Sequence, residues 1–165
     1  MSIKGKGIVV NTSPWIALSI CGKTSLLKEL YAEVYLPFKV KEEILAGGEQ
    51  GLGVQELKAS PWLLIEKVAD REKIELLYEL EQGEAEVVIL AKEKGIKQVL
   101  IDEKIARLQA KVLGLEVIGT LGLLLKAKKK RLLSSIKPSI SQMLENGIWI
   151  KEEIIKGLLK EAREE

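Results

Sequence analysis

The chain has 165 residues, of which 47% are apolar and 30% are charged, and its formal net charge is only +2. This length suits one domain with a filled core, and the composition is that of a globular protein rather than a disordered one. The net charge is too small to argue for a polyanionic partner, and no apolar stretch approaches the roughly 20 residues that a membrane-spanning helix needs.

Two residue counts restrict the chemistry. The chain contains one cysteine, Cys21, and no histidine. A lone cysteine forms no intrachain disulfide or thiolate cluster, and we expect a small buried side chain there. Without histidine, the usual general base and the commonest transition-metal ligand are absent. Any catalysis must therefore depend on carboxylates, whose oxygens favour Mg²⁺ or Mn²⁺ over Zn²⁺.

Short β-branched runs alternate with stretches of helical periodicity, which is typical of βαβ units around a mainly parallel sheet. The first run ends at Asn11, after which Ser13 and Pro14 are predicted to supply a helix N-cap and a first-turn proline. Strands are predicted at 7–10, 33–36, 63–68, 98–101 and 116–118, and helices at 14–20, 24–31, 38–46, 71–80, 84–94, 103–113 and 120–130.

The last part of the chain, 138–165, has a helical pattern without a strand, so we predict two helices that extend a single domain spanning 1–165. The glycine-rich segment 47–53 lacks the Lys and Ser or Thr of a phosphate-binding loop, and is predicted to be a surface loop, a flap beside the site. The first residues hold a shorter apolar run than a secretory signal requires. We therefore expect a cytoplasmic protein.

Polar side chains follow two predicted strands at their carboxyl ends. Asp102 comes directly after an apolar run, and Asn11 takes the equivalent place after the first strand. Ligands of open parallel sheets bind outside these ends. Glu84 lies at the start of a predicted helix, and Glu43 lies three residues after Val40 on nearly the same helical face. A divalent cation would offset the mutual repulsion of such acids, although each acid taken singly is also explained as an ordinary charge near a helix N-terminus.

Four segments occur in an order that resembles the PIN-domain superfamily: VVNTSPWIAL, LPFKVKEEIL, QGEAEVVILAKEKG and VLIDEKIARLQAKVLGLEVIGTLGLLLKAK. The chain is similar to prokaryotic VapC-like proteins that carry a DTSP opening and a GEAEAI segment. The resemblance implies an α/β, three-layer fold with a mainly parallel sheet flanked by helices and with extra C-terminal helices. It also implies an acidic pocket that holds Mg²⁺ or Mn²⁺ for the hydrolysis of RNA.

The resemblance assigns roles to particular residues. The assigned residues are Asn11, Glu43, Glu84 and Asp102 as catalytic metal ligands, Glu86 and Glu103 as reserve ligands, and Ser13 or Thr12 as hydroxyls that bind a water or orient Asn11. The family has an aspartate where this chain has Asn11. A neutral amide is a weaker ligand for a hard cation than a carboxylate, so this departure puts metal affinity and activity in question.

The expected partners are RNA, a small antitoxin protein and a second copy of the chain, which would dimerise through exposed apolar helical faces. The basic run 126–131 is explained by the helix dipole, and it is also predicted to contact nucleic acid through Lys126, Lys128, Lys129, Lys130 and Arg131. The three tryptophans, Trp15, Trp62 and Trp149, are predicted to be core or interface residues rather than base-stacking platforms.

Two other classes of protein stay open at this point. One is a catalytically weak PIN-like module that binds nucleic acid or protein after losing the first aspartate. The other is a phospho-accepting receiver domain, which also places acids at strand ends. A receiver would need an early acidic cluster, and this sequence lacks one.

Overall fold

The computed structural model describes residues 5–165, which form an α/β fold around a five-stranded sheet. The strands are β1 (Gly5–Val10), β2 (Tyr31–Pro37), β3 (Leu63–Glu66), β4 (Gln98–Leu100) and β5 (Glu116–Ile118). Their order is β3-β2-β1-β4-β5, and every neighbouring pair is parallel. The predicted fold class is confirmed.

Ten helices flank the sheet within the described residues. They are α1 (Thr12–Ile20), α2 (Ser25–Leu30), α3 (Phe38–Leu45), α4 (Val54–Lys58), α5 (Arg71–Leu76), α6 (Gln82–Lys94), α7 (Lys104–Val112), α8 (Thr120–Lys129), α9 (Lys137–Glu145) and α10 (Glu152–Glu161). The two predicted C-terminal helices are confirmed as α9 and α10. The sequence pattern did not predict the short α4, and the helix predicted over 71–80 ends at Leu76.

The start of α1 corrects one prediction. Asn11, in extended conformation, is the N-cap residue, and the helix begins at Thr12. The predicted N-cap, Ser13, is instead the second helical residue and is exposed. Strand β1 therefore passes into α1 without a loop, and Asn11 lies at the rim of the sheet.

The central strand is buried on both faces, as is typical of parallel sheets covered by helices. Ile8, Val9 and Val10 are all fully buried. The Trp15 ring is also fully buried and lies 6.2 Å, centroid to centroid, from that of Trp62.

The structure bears on two single-residue predictions, those for Cys21 and Trp149. Cys21 is buried, as predicted. Of the two positions predicted for Trp149, the core is excluded, because 78% of that residue is exposed, and the interface stays a prediction. Trp149 lies in the segment between α9 and α10 rather than on a buried helical face.

The strand order creates a switch point between β1 and β4. From β1 the chain moves outward through β2 to β3, and it then returns to the other side of β1 with β4 and β5. The Asn11 N–H donates a hydrogen bond to the Leu100 carbonyl oxygen at 3.1 Å. The residues that follow β1 and β4 are therefore neighbours at the edge where open sheets bind ligands.

The glycine-rich loop 47–53 is anchored at its end. The Trp15 indole N–H donates to the Gly53 carbonyl oxygen at 3.0 Å. Gly53 has φ +84°, a left-handed conformation that favours glycine. The segment contains turns and neither helix nor strand, as predicted, and its role as a flap stays a prediction. No helix within residues 5–165 combines the length and the apolar character needed to cross a membrane.

Candidate active site

Asn11 and Thr12 form the part of the site contributed by β1 and α1. Asn11 is 5% exposed, and its side chain does not cap α1. The Thr12 hydroxyl donates a hydrogen bond to Glu43 Oε1 at 3.0 Å. Of the two predicted supporting hydroxyls, Thr12 is thus the one that contacts a predicted site acid.

Glu43 reaches from α3 to the start of α6. A Cβ atom built on Gly83 would lie 2.0 Å from Glu43 Oε1, so the carboxylate occupies space that a side chain at position 83 would take. Because Gly83 directly precedes Glu84, this contact brings Glu43 beside the next predicted acid. Three segments that are distant in sequence meet here: the start of α1, the middle of α3 and the first turn of α6.

Glu84 is held in the first turn of α6 by a capping box. Its Oε1 accepts a hydrogen bond from the Glu81 N–H at 3.1 Å, and the Glu81 side chain accepts one in return from the Glu84 N–H. Glu84 is 8% exposed. Sequence reasoning missed Glu81, although the spacing of Glu81 and Glu84 is that of a capping box.

The pKa of Glu84 is raised above its ordinary value. Burial is the main cause, and the negative charges of Glu103, Glu81 and Glu43 add to it, while the Glu81 N–H opposes the shift. Three carboxylates, from α3 and from the residues that precede α6 and α7, therefore act on Glu84. Such mutual repulsion is relieved by protonation or by a bound cation.

Asp102 follows β4, and its side chain binds the first residue of α8. Its two oxygens accept hydrogen bonds from the Thr120 N–H at 2.7 Å and the Thr120 hydroxyl at 2.6 Å. The missing side chain of Gly119 leaves room for this approach, since a Cβ there would lie 2.9 Å from Asp102 Oδ1 and 2.8 Å from Arg107 Nη1. An ionised carboxylate has about four acceptor positions, so these bonds leave capacity for a further ligand.

The two reserve ligands face different surroundings. Glu103 caps α7 by accepting the Ala106 N–H at 2.8 Å, and its charge acts on Glu84. Glu86 instead forms an ion pair with Arg71 at 2.7 Å and accepts the Lys39 N–H at 3.1 Å. These bonds account for the burial of Glu86, so it joins α3 to α6 on the side that faces Arg71.

The donor set suits a hydrated divalent cation. Carboxylate and amide oxygens are hard ligands, which Mg²⁺ and Mn²⁺ prefer. Across residues 5–165, no group of three acidic or cysteine side chains lies close enough together to hold a metal ion by itself. Mg²⁺ usually takes only one or two protein carboxylates, with water and substrate phosphate completing its shell. That Asn11, Glu43, Glu84 and Asp102 share one ion stays a prediction.

The basic run 126–131 lies near the amino-terminal ends of the strands, on the opposite side of the sheet from the acids. Helix α8 starts beside Asp102 and extends for about 15 Å, and the Lys126 ammonium reaches the ring of Tyr31, the first residue of β2, at 4.6 Å. Lys128 pairs with Glu164 at 2.8 Å and Lys129 with Glu161 at 3.2 Å. A nucleic acid held by this run would lie across the sheet from the acids, and its binding there stays a prediction.

The protein thus has an open, parallel α/β sheet with carboxylates clustered beside its switch point. A family model described as DUF3368: PIN domain matches residues 7–164. The chain belongs to this PIN-domain family, which confirms the resemblance at the level of the superfamily. PIN domains are generally nucleases, which places the chain among the hydrolases at a coarse level. A search of the curated proteins finds no match to the sequence.

Proposed function

We propose that this PIN domain is a ribonuclease that hydrolyses RNA phosphodiester bonds with Mg²⁺ or Mn²⁺. The observation that carries the proposal is the cluster around Glu84, where burial and three neighbouring carboxylates raise the pKa of one acid. The cluster lies beside the carboxyl ends of β1 and β4, where ligands of open parallel sheets bind. The family supports the same class of reaction.

The proposed ligands are Glu43, Glu84 and Asp102, with Asn11 supplying a neutral oxygen. When bound, the cation would stabilise charge on the phosphoryl group and lower the pKa of a bound water. Thr12 orients Glu43 through its hydroxyl, and Thr120 orients Asp102 through two hydrogen bonds. A carboxylate of the cluster with a raised pKa is suited to accept the proton that the attacking water loses.

The test combines metal binding with RNA cleavage in the wild type and in Glu84→Gln. We expect the substitution to weaken Mn²⁺ binding, measured by titration calorimetry, by about tenfold or more, and to abolish cleavage of a labelled RNA. The matched control is Glu145→Gln, which removes an exposed acid at the end of α9. Cleavage that survives Glu84→Gln, or that persists in EDTA, would contradict the proposal.

A second candidate is a catalytically weak module that binds nucleic acid or protein. The neutral Asn11 favours it, and so does the absence, in the described part of the chain, of three acids close enough together to hold a metal ion by themselves. The substitution Asn11→Asp separates the two functions. For the ribonuclease we expect tighter Mn²⁺ binding and faster cleavage, because a further negative charge attracts the cation.

Asn11→Asp should also destabilise the protein in the absence of metal, and this effect tests the proposed position of residue 11 in the site. Asn11 is 5% exposed, so a carboxylate there would be buried, and in the proposed site it would lie beside other acids. Without metal, we expect the melting temperature of Asn11→Asp to fall by about 4 to 8 °C, for a destabilisation of ~2 kcal/mol, and Mn²⁺ should restore it. If wild type and Asn11→Asp are both inert toward RNA and metal, the binding module is the correct function.

The resemblance to VapC-like proteins extends the proposal to a biological role. We propose that the chain is the toxin of a toxin–antitoxin pair, with a small antitoxin protein as its partner. Induced synthesis of the wild type in a bacterial host should then arrest growth, whereas Glu84→Gln should not. Equal growth of the two cultures would argue against the toxin role without affecting the ribonuclease proposal.

We also propose that the chain forms a homodimer through α7. Ile105, Leu108 and Val112 are 49%, 63% and 74% exposed. Their spacing of three and four residues places them on one helical face. An exposed apolar stripe of this kind favours association with another surface.

A further inference from the structure

A basic and aromatic patch lies at the same edge of the sheet as the carboxylates. It consists of Phe38, Lys41, Lys67 and Arg71, and we call it the Phe38 patch. The register of β2 and β3 pairs Pro37 with Glu66, so the next residues, Phe38 and Lys67, emerge side by side beyond the carboxyl ends of the two strands. The patch thus adjoins the site on the side away from β4.

The cations of the patch are arranged around the aromatic ring. The Lys67 ammonium lies 4.7 Å from the centroid of the Phe38 ring, and that of Lys41 lies 6.0 Å from it. These distances are within the range of cation–π attraction. Phe38 is half-buried, and Lys67 is exposed. The ring therefore holds an ammonium group in place while leaving it open to a ligand.

Arg71 adds a second kind of cation. One of its terminal nitrogens binds Glu86, and yet 55% of its side chain is exposed, against 4% for Glu86. A guanidinium has five N–H donors, so donors remain for an incoming anion. Beside it is a cleft of about 270 Å³, lined in part by Phe38, Lys67 and Arg71. Two acids also line it, Glu42 and the already paired Glu86, against the four basic residues Lys39, Lys41, Lys67 and Arg71 in or beside it.

We propose that the Phe38 patch binds the phosphate backbone of single-stranded RNA next to the candidate active site, an inference that rests on the proposed function in taking RNA as the substrate. Lys41, Lys67 and Arg71 contact phosphates, and Phe38 positions the two lysines. Phe38 and Glu43 are five residues apart on α3, a rise of ~8 Å, so one strand can reach both. Single strands are commonly bound by cationic clefts that combine basic and aromatic side chains.

The test measures binding rather than cleavage. Fluorescence anisotropy with a labelled oligouridine in EDTA compares two double variants, each of which removes two positive charges. Lys41→Gln with Lys67→Gln changes the Phe38 patch, and Lys156→Gln with Lys160→Gln changes two exposed lysines of α10. We expect the first double variant to weaken binding by about tenfold. It should also reduce the slope of log affinity against log salt concentration by about 1.4, because each phosphate contact with a single strand contributes ~0.7. The second should stay within about twofold of the wild type.

Phe38 has its own test as a positioning residue. Phe38→Leu keeps an apolar side chain at the start of α3 but removes the ring, and we expect weaker RNA binding with little change in melting temperature. Phe38→Tyr restores a ring and should restore binding, which a merely structural role would not require. Equal binding of duplex RNA of the same length would overturn the assignment to single strands.

The outcomes separate this inference from the proposed function. The patch is ruled out if the Lys156 and Lys160 variant loses as much affinity as the Lys41 and Lys67 variant, if the latter loses none, or if the wild type binds no oligouridine at ~50 mM salt. Cleavage that depends on Glu84 but not on Lys41 and Lys67 would refute the patch and keep the ribonuclease. Binding through the patch without any Mn²⁺-dependent cleavage would do the reverse.

Discussion

Gly83 has no side chain, and the Glu43 carboxylate occupies the space that a side chain there would take. A substitution at position 83 can displace this carboxylate without destabilising α6. A Cβ at position 83 would fall 2.0 Å from Glu43 Oε1. Only the end of a flexible side chain has to move, and alanine favours a helix over glycine by up to ~1 kcal/mol. We therefore expect Gly83→Ala to keep or slightly raise the melting temperature while weakening Mn²⁺ binding and RNA cleavage.

The matched control is Gly157→Ala in α10, where the added Cβ meets nothing within 4 Å. It should stabilise its helix to a similar degree and leave metal binding unchanged. Unaltered Mn²⁺ affinity in Gly83→Ala would show that Glu43 is not a ligand in the position that the structure gives it.

The raised pKa of Glu84 predicts how the stability of the metal-free protein changes with pH. Its folded-state pKa is raised above the ordinary value of 4.5 by burial and by Glu103, Glu81 and Glu43. The ionised form is therefore disfavoured in the folded protein, and the destabilisation is absent below about pH 4.5 and sets in as pH rises through the raised pKa. Without metal, Glu84→Gln should therefore melt at a higher temperature than the wild type near pH 7.

The advantage of Glu84→Gln should shrink as pH falls toward about 4.5 and vanish below it, because the wild-type side chain is then neutral in the folded and the unfolded protein. Added Mn²⁺ should reverse the order near neutral pH, since only the wild type gains the full binding free energy. Thermal melts across pH, with and without Mn²⁺, measure both effects. A pH-independent difference would indicate that Glu84 is not part of a mutually repelling cluster.

At the scale of elements, one carboxylate joins α8, α9 and the residues after α10. The Glu164 side chain accepts hydrogen bonds from the N–H groups of Ile136 and Lys137 at the start of α9, from the Ser135 hydroxyl and from the Lys128 ammonium. Burial alone would raise its pKa, but these donors lower it to about 2. The bonds also satisfy N–H groups that a helix start leaves unpaired.

The stabilisation from Glu164 should be present in full above its ordinary pKa of 4.5 and be lost as pH falls through about 2. At pH 7 we expect Glu164→Gln to lower the melting temperature by about 4 to 8 °C, for ~2 kcal/mol. The neighbouring exposed acid supplies the control, Glu165→Gln, which should be neutral. A Glu164→Gln protein as stable as wild type at pH 7 would contradict the bonding at the start of α9.

At the scale of the whole molecule, the exposed stripe on α7 predicts self-association. Leu108 is its central residue and is 63% exposed. Leu108→Lys would bury a charge in the proposed interface, so we expect it to convert a dimer into a monomer in sedimentation and light-scattering measurements. Leu76→Lys, at a position that is 75% exposed on α5, is the control and should leave the assembly unchanged. A wild type that is monomeric at all concentrations would rule out the homodimer.

The sequence alone determined the order and type of most elements and the residues at strand ends. Strand runs and helical periodicity are local patterns of a few residues, so Val99 to Ile101 already predicted a buried strand that delivers Asp102 to the sheet edge. Local patterns failed to predict the element or its first residue where a helix is short or begins directly after a strand. Helix α4 has five residues, and Asn11 displaced Ser13 as the N-cap because β1 leads into α1 without a loop.

Only the tertiary structure decided which of these residues meet. The strand order places β4 rather than β2 at the switch point, and the approach of α3 to α6 puts Glu43 against Gly83. Glu84 and Glu86, both near the start of α6, have different partners for the same reason, since Glu84 lies near other carboxylates and Glu86 pairs with Arg71. Such contacts join segments far apart in the chain, and their geometry depends on how helices pack on the sheet, which no local pattern of residues encodes.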